Sequence, residues 1–373
     1  MRSRLSEELS ALAVKKTAGG EKVEMFEHIN GKYPFKNDVA VLCIFWTRPD
    51  CFGKSFASVT LARPKTLLLW QDGPKTKEQY KDWVECQNIA TKIDWDCDVY
   101  RFYHKRNIGI WPGAHHSHKW AFSKVDKCII LEDDVVPSQS FYPFCKDLLD
   151  RYEDDQRIGR ITGKMQVEGY KCPYSYFFAD GGSVWGWATW KRVAKTWEED
   201  YEFLNDEYVM AMYKARYNSK PDKEYINVCI KHSEEKRAHW ETVSAYAKRL
   251  NNQLDIVPST NLVENVGTGG KNSIHFSHID LRDMPKSIRN AYFSKAEDID
   301  FPLKHPKYVF PDVRYIKRLR ELTGSNSQLS KIKLEVERYF LYIKHGHGRK
   351  LLEGIGRRIR RLTNKSSNGE PRK

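Results

Sequence analysis

Residues 127–137, Lys-Cys-Ile-Ile-Leu-Glu-Asp-Asp-Val-Val-Pro, limit the folds open to this chain more than any other stretch. A short apolar run there ends in three consecutive carboxylates. Ile129, Ile130 and Leu131 read as a strand buried on both faces, since short apolar runs bounded by breakers suit a sheet covered on two sides. Burying three adjacent carboxylates is very unfavourable unless positive charge compensates. Glu132, Asp133 and Asp134 are therefore expected where the strand leaves the sheet, at its carboxyl end. In open α/β sheets that edge is where ligands bind. A hard divalent cation held by one or two carboxylates, with phosphate oxygens completing its shell, suits the chemistry. An acidic surface turn is the competing reading of these residues alone.

The segments before this strand repeat its pattern. Residues 38–46 (DVAVLCIFW), 65–70 (KTLLLW) and 98–103 read as strands, with helices expected through Leu61, over 76–91 and over 112–125. Alternating strands and helices point to an α/β fold with a mostly parallel sheet. Arg48, Asp72, Arg106, Asn107 and the carboxylate triplet each follow a strand, so they converge on one edge. An arginine and an aspartate at such an edge can hydrogen-bond a base such as uracil, although a salt bridge and a turn would also use them.

Further along, helices are expected over 138–152, 191–217, 222–236 and 239–250, and strands over 157–163, 174–179 and 254–257. Residues 180–190 (DGGSVWGWATW) read as a loop in which Gly182 and Gly186 permit close backbone approach. Trp185 and Trp187 would offer flat faces to a sugar. Glu241, in the first turn of its helix, is stabilised as a carboxylate by the helix N-terminus, as a general base requires. His275 follows a Gly-rich segment and could touch phosphate or metal.

Composition sets outer limits. With 373 residues, 40% of them hydrophobic, the chain can build a large core. Mean hydropathy is −0.68, and no apolar run is long enough to span a bilayer. Eight scattered cysteines without a C-x-x-C pair, and no export signal, favour free thiols and a cytoplasmic protein. The net charge is +14, and residues 344–373 hold ten Lys/Arg against two Glu. Leu351, Ile355, Ile359 and Leu362 recur at helical spacing among arginines, which reads either as a basic amphipathic helix on the anionic inner face of a membrane or as a helix packed on the domain with a solvated basic face. With the positive charge outside the sheet, nucleic acid is not the expected partner.

In order, the Arg48 strand end, QDG at 71–73, RNIG at 106–109, KWAFSKV at 119–125, LEDD at 131–134, GWATW at 186–190, HWE at 239–241 and NLVENVGTG at 261–269 resemble the GT-A glycosyltransferases. The closer likeness is to bacterial family 2-like proteins related to the N-acetylglucosaminyltransferase I group, over roughly residues 38–280. The resemblance implies a GT-A (Rossmann-like) domain, placed over 38–300; outside it, composition gives a polar lead-in at 1–37, with helix as one reading, and a basic helical tail at 301–373. It implies Mn2+ or Mg2+ on Asp134, with Glu132 and Asp133 facing ribose and sugar, and Arg48 and Asp72 holding uracil. The family's tryptophan-aspartate pair is Trp240-Glu241 here, making Glu241 the base of an inverting transfer. A family histidine is replaced by Ser117, between His116 and His118. The expected partners are a nucleotide-sugar donor and a glycan or lipid-linked glycan acceptor in surface polysaccharide synthesis. A nucleotidyltransferase using the same carboxylates, or a non-catalytic basic membrane- or nucleic-acid-binding module, are the alternatives.

Overall fold

The computed structural model describes residues 14–18, 26–29, 33–35, 38–268, 280–325, 327–350 and 352, with side chains described from residue 38 onward. Its strands are β1 (Val14–Ala18), β2 (Phe26–Ile29), β3 (Tyr33–Phe35), β4 (Ala40–Phe45), β5 (Thr66–Gln71), β6 (Cys97–Tyr103), β7 (Lys127–Glu132), β8 (Val135–Pro137), β9 (Ile158–Thr162), β10 (Tyr176–Ala179), β11 (Trp187–Trp190), β12 (Leu254–Pro258) and β13 (Val263–Asn265). The helices are α1 (Pro49–Ala62), α2 (Tyr80–Ile89), α3 (Ile110–Phe122), α4 (Phe141–Arg151), α5 (Lys191–Ala194), α6 (Glu207–Arg216), α7 (Lys220–Glu234), α8 (Trp240–Leu250), α9 (Lys286–Phe293), α10 (Val313–Leu322) and α11 (Gln328–Lys344).

Nine strands form one sheet in the order β1-β6-β5-β4-β7-β11-β9-β12-β10. β6, β5, β4 and β7 are mutually parallel, β9 and β12 run with them, and β1, β11 and β10 run against them. The α/β class with a mostly parallel sheet is thus as the sequence predicts. Side-chain alternation along β4 explains the layering: Val41, Cys43 and Phe45 enter one core, while Ala40 and Leu42 enter the other. Phe52, Phe56 and Val59 of α1 and Phe144 and Leu148 of α4 cover the first face. Trp120 of α3, Ile226 of α7, and Trp240, Val243 and Tyr246 of α8 cover the second. Each fully buried Val, Leu, Ile or Phe contributes about 1.5–3 kcal/mol by leaving water, so the two layers fix the sheet firmly.

The chain winds outward from β4 through β5 to β6, then returns to the other side of β4 with β7. The strand order therefore reverses between β4 and β7, and such a switch point opens a crevice at the carboxyl ends of the strands. Arg48 follows β4 and Glu132–Asp134 close β7, so they face each other across it.

Several sequence expectations are corrected. The stretch before residue 38, read as a polar and perhaps helical lead-in, contains β1 on the edge of the sheet and the β2–β3 hairpin. Residues 187–190, read as loop, are β11, which lies between β7 and β9. Gly186, at φ 62°, turns the chain into that strand. The helix expected over 191–217 is broken: α6 begins only after Asp206, whose side chain accepts a hydrogen bond from the Val209 amide at 2.9 Å as an N-cap. Beyond residue 300 the chain does not begin as a separate tail. Ile299 and Leu303 enter the main core, Pro311 bridges to Phe178 of β10, and Tyr315 is fully buried.

All eight cysteines are unpaired. Among the described residues no helix is long and apolar enough to cross a membrane. The basic helix expected around 351–362 lies outside the described residues, apart from Leu352.

Candidate functional site

The end of β7 carries the carboxylates into the crevice, and three other segments close around them. Arg48, at the start of α1 and only 8% exposed, donates from one guanidinium nitrogen to Asp133 Oδ1 at 3.3 Å and to Asp134 Oδ2 at 3.0 Å. Its second nitrogen points to Cys51 Sγ at 3.3 Å. Arg48, expected to hold a nucleobase, has its guanidinium engaged here as the counter-charge of Asp133 and Asp134. The Trp46 amide donates to Asp133 Oδ2 at 3.4 Å. On the far side, the Val266 amide donates to the Asp134 carbonyl at 2.8 Å. This lays Gly267 so close that a Cβ there would overlap the Asp134 carboxylate and the Arg48 guanidinium.

One guanidinium does not neutralise three acids. Burial, with Asp134 adding to it and Arg48 opposing it, pushes the Asp133 carboxyl up to about 7. Glu132 is raised well above the carboxylate range by burial and then by the charges of Asp134, Glu241 and Asp133. Among the described residues, Asp134 Oδ1 is buried with no hydrogen-bond partner. An unsatisfied buried carboxylate oxygen within an acidic cluster suits a hard divalent cation, which binds through oxygen. Asp134 is thus the residue whose donor atoms would suit Mn2+ or Mg2+.

Glu241 lies in the first turn of α8, exposed. Its charge acts on Glu132, which brings the expected base within electrostatic reach of the triplet. The rim beside it is aromatic. His239 stacks on His232 with ring centroids 3.5 Å apart and tilts against Trp111 at 4.7 Å, joining the start of α8 to the start of α3.

Asp72 has a different part from the one expected. Its Oδ1 accepts from the Gly73 amide at 2.8 Å and the Ile108 amide at 2.9 Å. Its Oδ2 accepts from Asn107 Nδ2 at 2.7 Å and the Gly109 amide at 3.1 Å. Four donors occupy the acceptor sites of both oxygens, so no open acceptor is left for a nucleobase. Burial raises its pKa while these backbone donors lower it. Asp72 and Asn107 instead pin the 106–109 loop to the 72–73 turn. Gly73 packs so tightly that a Cβ would overlap the Arg106 backbone. The Arg106 side chain itself is exposed.

The Gly/Trp wall is largely a packing feature. Trp187 is 1% exposed and stacks on Trp240 at 5.4 Å, so it presents no face to a ligand. His118 stands edge-on to Trp187, Trp197 and Trp240, and burial holds its pKa down to about 3. A Cβ on Gly182 would press on Thr162 and Asp255, and one on Gly186 on Val263 and Val135. Both glycines therefore serve close packing. Trp185 is half-buried against Tyr292 and Phe293, at 5.7 and 6.0 Å, and keeps some accessible surface. His275 lies outside the described residues.

Two parts of the site escaped the sequence reading. Trp46 sits between the carboxylates and the Asp72 turn, its indole donating to the Gly73 carbonyl at 2.8 Å; its only signal was its place at a strand end. The β8–β13 pair, registered Val263 to Pro137 and Asn265 to Val135, anchors the segment that carries Gly267 over Asp134. Away from the crevice, Asp280, Asp283 and His347 form a carboxylate–histidine group. There Asp283 is already engaged by His347 at 2.7 Å and Lys350 at 2.8 Å, an ion-pair knot tying residues 345–350 to 280–283. No protein-family model matches the sequence, and no curated protein shows significant similarity to it.

Proposed function

We propose that the chain is a divalent-cation-dependent, inverting glycosyltransferase. It would move a sugar from a nucleoside diphosphate sugar, with UDP as the expected nucleotide, onto a hydroxyl of a glycan or lipid-linked glycan acceptor. The observation that carries this reading is the buried Oδ1 of Asp134, without a hydrogen-bond partner among the described residues, in an under-neutralised carboxylate cluster at the strand-order switch. The GT-A likeness adds the choice of chemistry.

Asp134 would hold the cation, which when bound would supply Lewis-acid stabilisation of charge on the leaving diphosphate. Arg48 holds Asp133 and Asp134 in place and limits their mutual repulsion. The segment through Gly267 closes one side of the cluster without a side chain in the way. Glu241, exposed at the start of α8, takes the proton from the acceptor hydroxyl as the hydroxyl oxygen attacks the anomeric carbon opposite the phosphate and the bond from that carbon to the diphosphate breaks. Trp185, beside Tyr292 and Phe293, is the remaining aromatic face for a sugar.

The test is release of free nucleotide from a panel of UDP-sugars with Mn2+ and oligosaccharide or lipid-linked acceptors. Glu241→Gln is expected to lower kcat at least 100-fold while nucleotide binding is retained, consistent with the size of general-base contributions of about 10²–10⁴. Unchanged turnover in Glu241→Gln would remove that residue from the mechanism. Release of pyrophosphate from UTP and a sugar 1-phosphate, without turnover of any UDP-sugar, would favour the nucleotidyltransferase instead.

A further inference from the structure

Among the described residues, nothing covers one apolar face of α11. On α11, Leu329, Ile332, Val336, Phe340 and Ile343 are 79%, 45%, 61%, 63% and 65% exposed. At 100° per residue these positions share an arc of about 80°. The spacing accounts for the pattern: steps of three, four, four and three residues return to one side of a helix. Leu334 and Leu341 lie away from that arc and are only partly exposed, and a Cβ on Gly324 would touch Leu334. The helix thus has an inner apolar edge and an outer apolar stripe. Apolar stripes of this kind on a soluble surface mark interaction sites.

Charge selects the occupant. Lys331, Lys333, Arg338 and Lys344 outnumber Glu335 and Glu337 on the helix, and residues 345–373 continue with nine Lys/Arg against two Glu. Lys333 and Lys344 fall just beside the apolar arc on the helical wheel. An apolar stripe bordered by lysines, followed by a strongly basic segment, matches an anionic bilayer surface: side chains enter the acyl boundary while the cations meet headgroups. A second copy of this chain would bring the same excess of positive charge to the interface. We infer that α11 is a membrane-docking helix that lies on anionic lipid through the 329–343 stripe. This surface is independent of the glycosyl-transfer reading, since none of its residues touches the carboxylate crevice.

The experiment is sedimentation of the full chain with vesicles of phosphatidylcholine alone or mixed with phosphatidylglycerol. The comparison variant is Val336→Asp/Phe340→Asp, whose sites are exposed, with circular dichroism confirming an unchanged fold. Wild type is expected to pellet with the anionic vesicles at least tenfold more tightly than with neutral ones. The double variant is expected to lose at least tenfold of that affinity. Equal vesicle binding by wild type and variant, or no binding by wild type, overturns the proposal. So does concentration-dependent dimerisation of wild type that the variant abolishes, which would make a second copy the occupant.

Discussion

Asp133 couples ionisation to folding. Its carboxyl rises from 3.8 to about 7 in the fold, chiefly through burial. A group whose folded pKa is raised contributes stability that is complete below its unfolded pKa and is lost as pH rises through its folded pKa. Between pH of about 4 and about 7, therefore, wild type should lose Tm relative to Asp133→Asn, and added Mn2+ should restore part of the loss at the upper end. Equal pH slopes for the two proteins in thermal scans would contradict this. Gly267→Ala is a second probe: its Cβ must displace Asp134 or Arg48, so metal-dependent nucleotide binding should weaken at least tenfold. Overpacking at such a site costs about 1–3 kcal/mol of stability, readable by urea titration. The carboxylates and Arg48 were legible in the sequence because charges cannot continue a buried strand. The parts played by Arg48 and Asp72 were not, because they are decided by partners 85 and 36 positions away.

Elements were legible where periodicity and breakers agreed. β4, β5 and β7 fall close to their predicted spans because each is a nearly continuous apolar run ended by polar residues, and β6 does so although Asp98 and Arg101 interrupt its apolar positions. β11 was not, since Gly and Trp density looks the same in a binding loop and in a tightly packed strand. Only the stacking of Trp187 on Trp240, with His118 edge-on, tells them apart. Trp187→Ala should accordingly cost about 3–5 kcal/mol in denaturant unfolding, the range for a large aromatic removed from a core. A sugar-binding face would instead lose affinity at unchanged stability.

At the level of the whole molecule, the α/β class followed from alternation alone, whereas the limit of the domain did not. Long-range packing carries the fold past residue 300: Tyr315 sits against Tyr170 and Phe177, with ring centroids 5.4 and 4.9 Å apart. Tyr315→Ala should therefore destabilise the protein by about 3–5 kcal/mol, while the same change in an appended tail would be neutral to chemical denaturation. The sheet topology brings β4 and β7 side by side with their carboxyl ends together, and that is what makes one site of Arg48, Glu132, Asp133 and Asp134. The most direct test of that site is isothermal titration of UDP and other nucleoside diphosphates, with and without Mn2+, into wild type and Asp134→Ala. The account predicts Mn2+-dependent UDP binding by wild type and its loss in a folded Asp134→Ala protein. Absence of nucleotide binding by wild type, or equal metal-dependent binding by the variant, would contradict it.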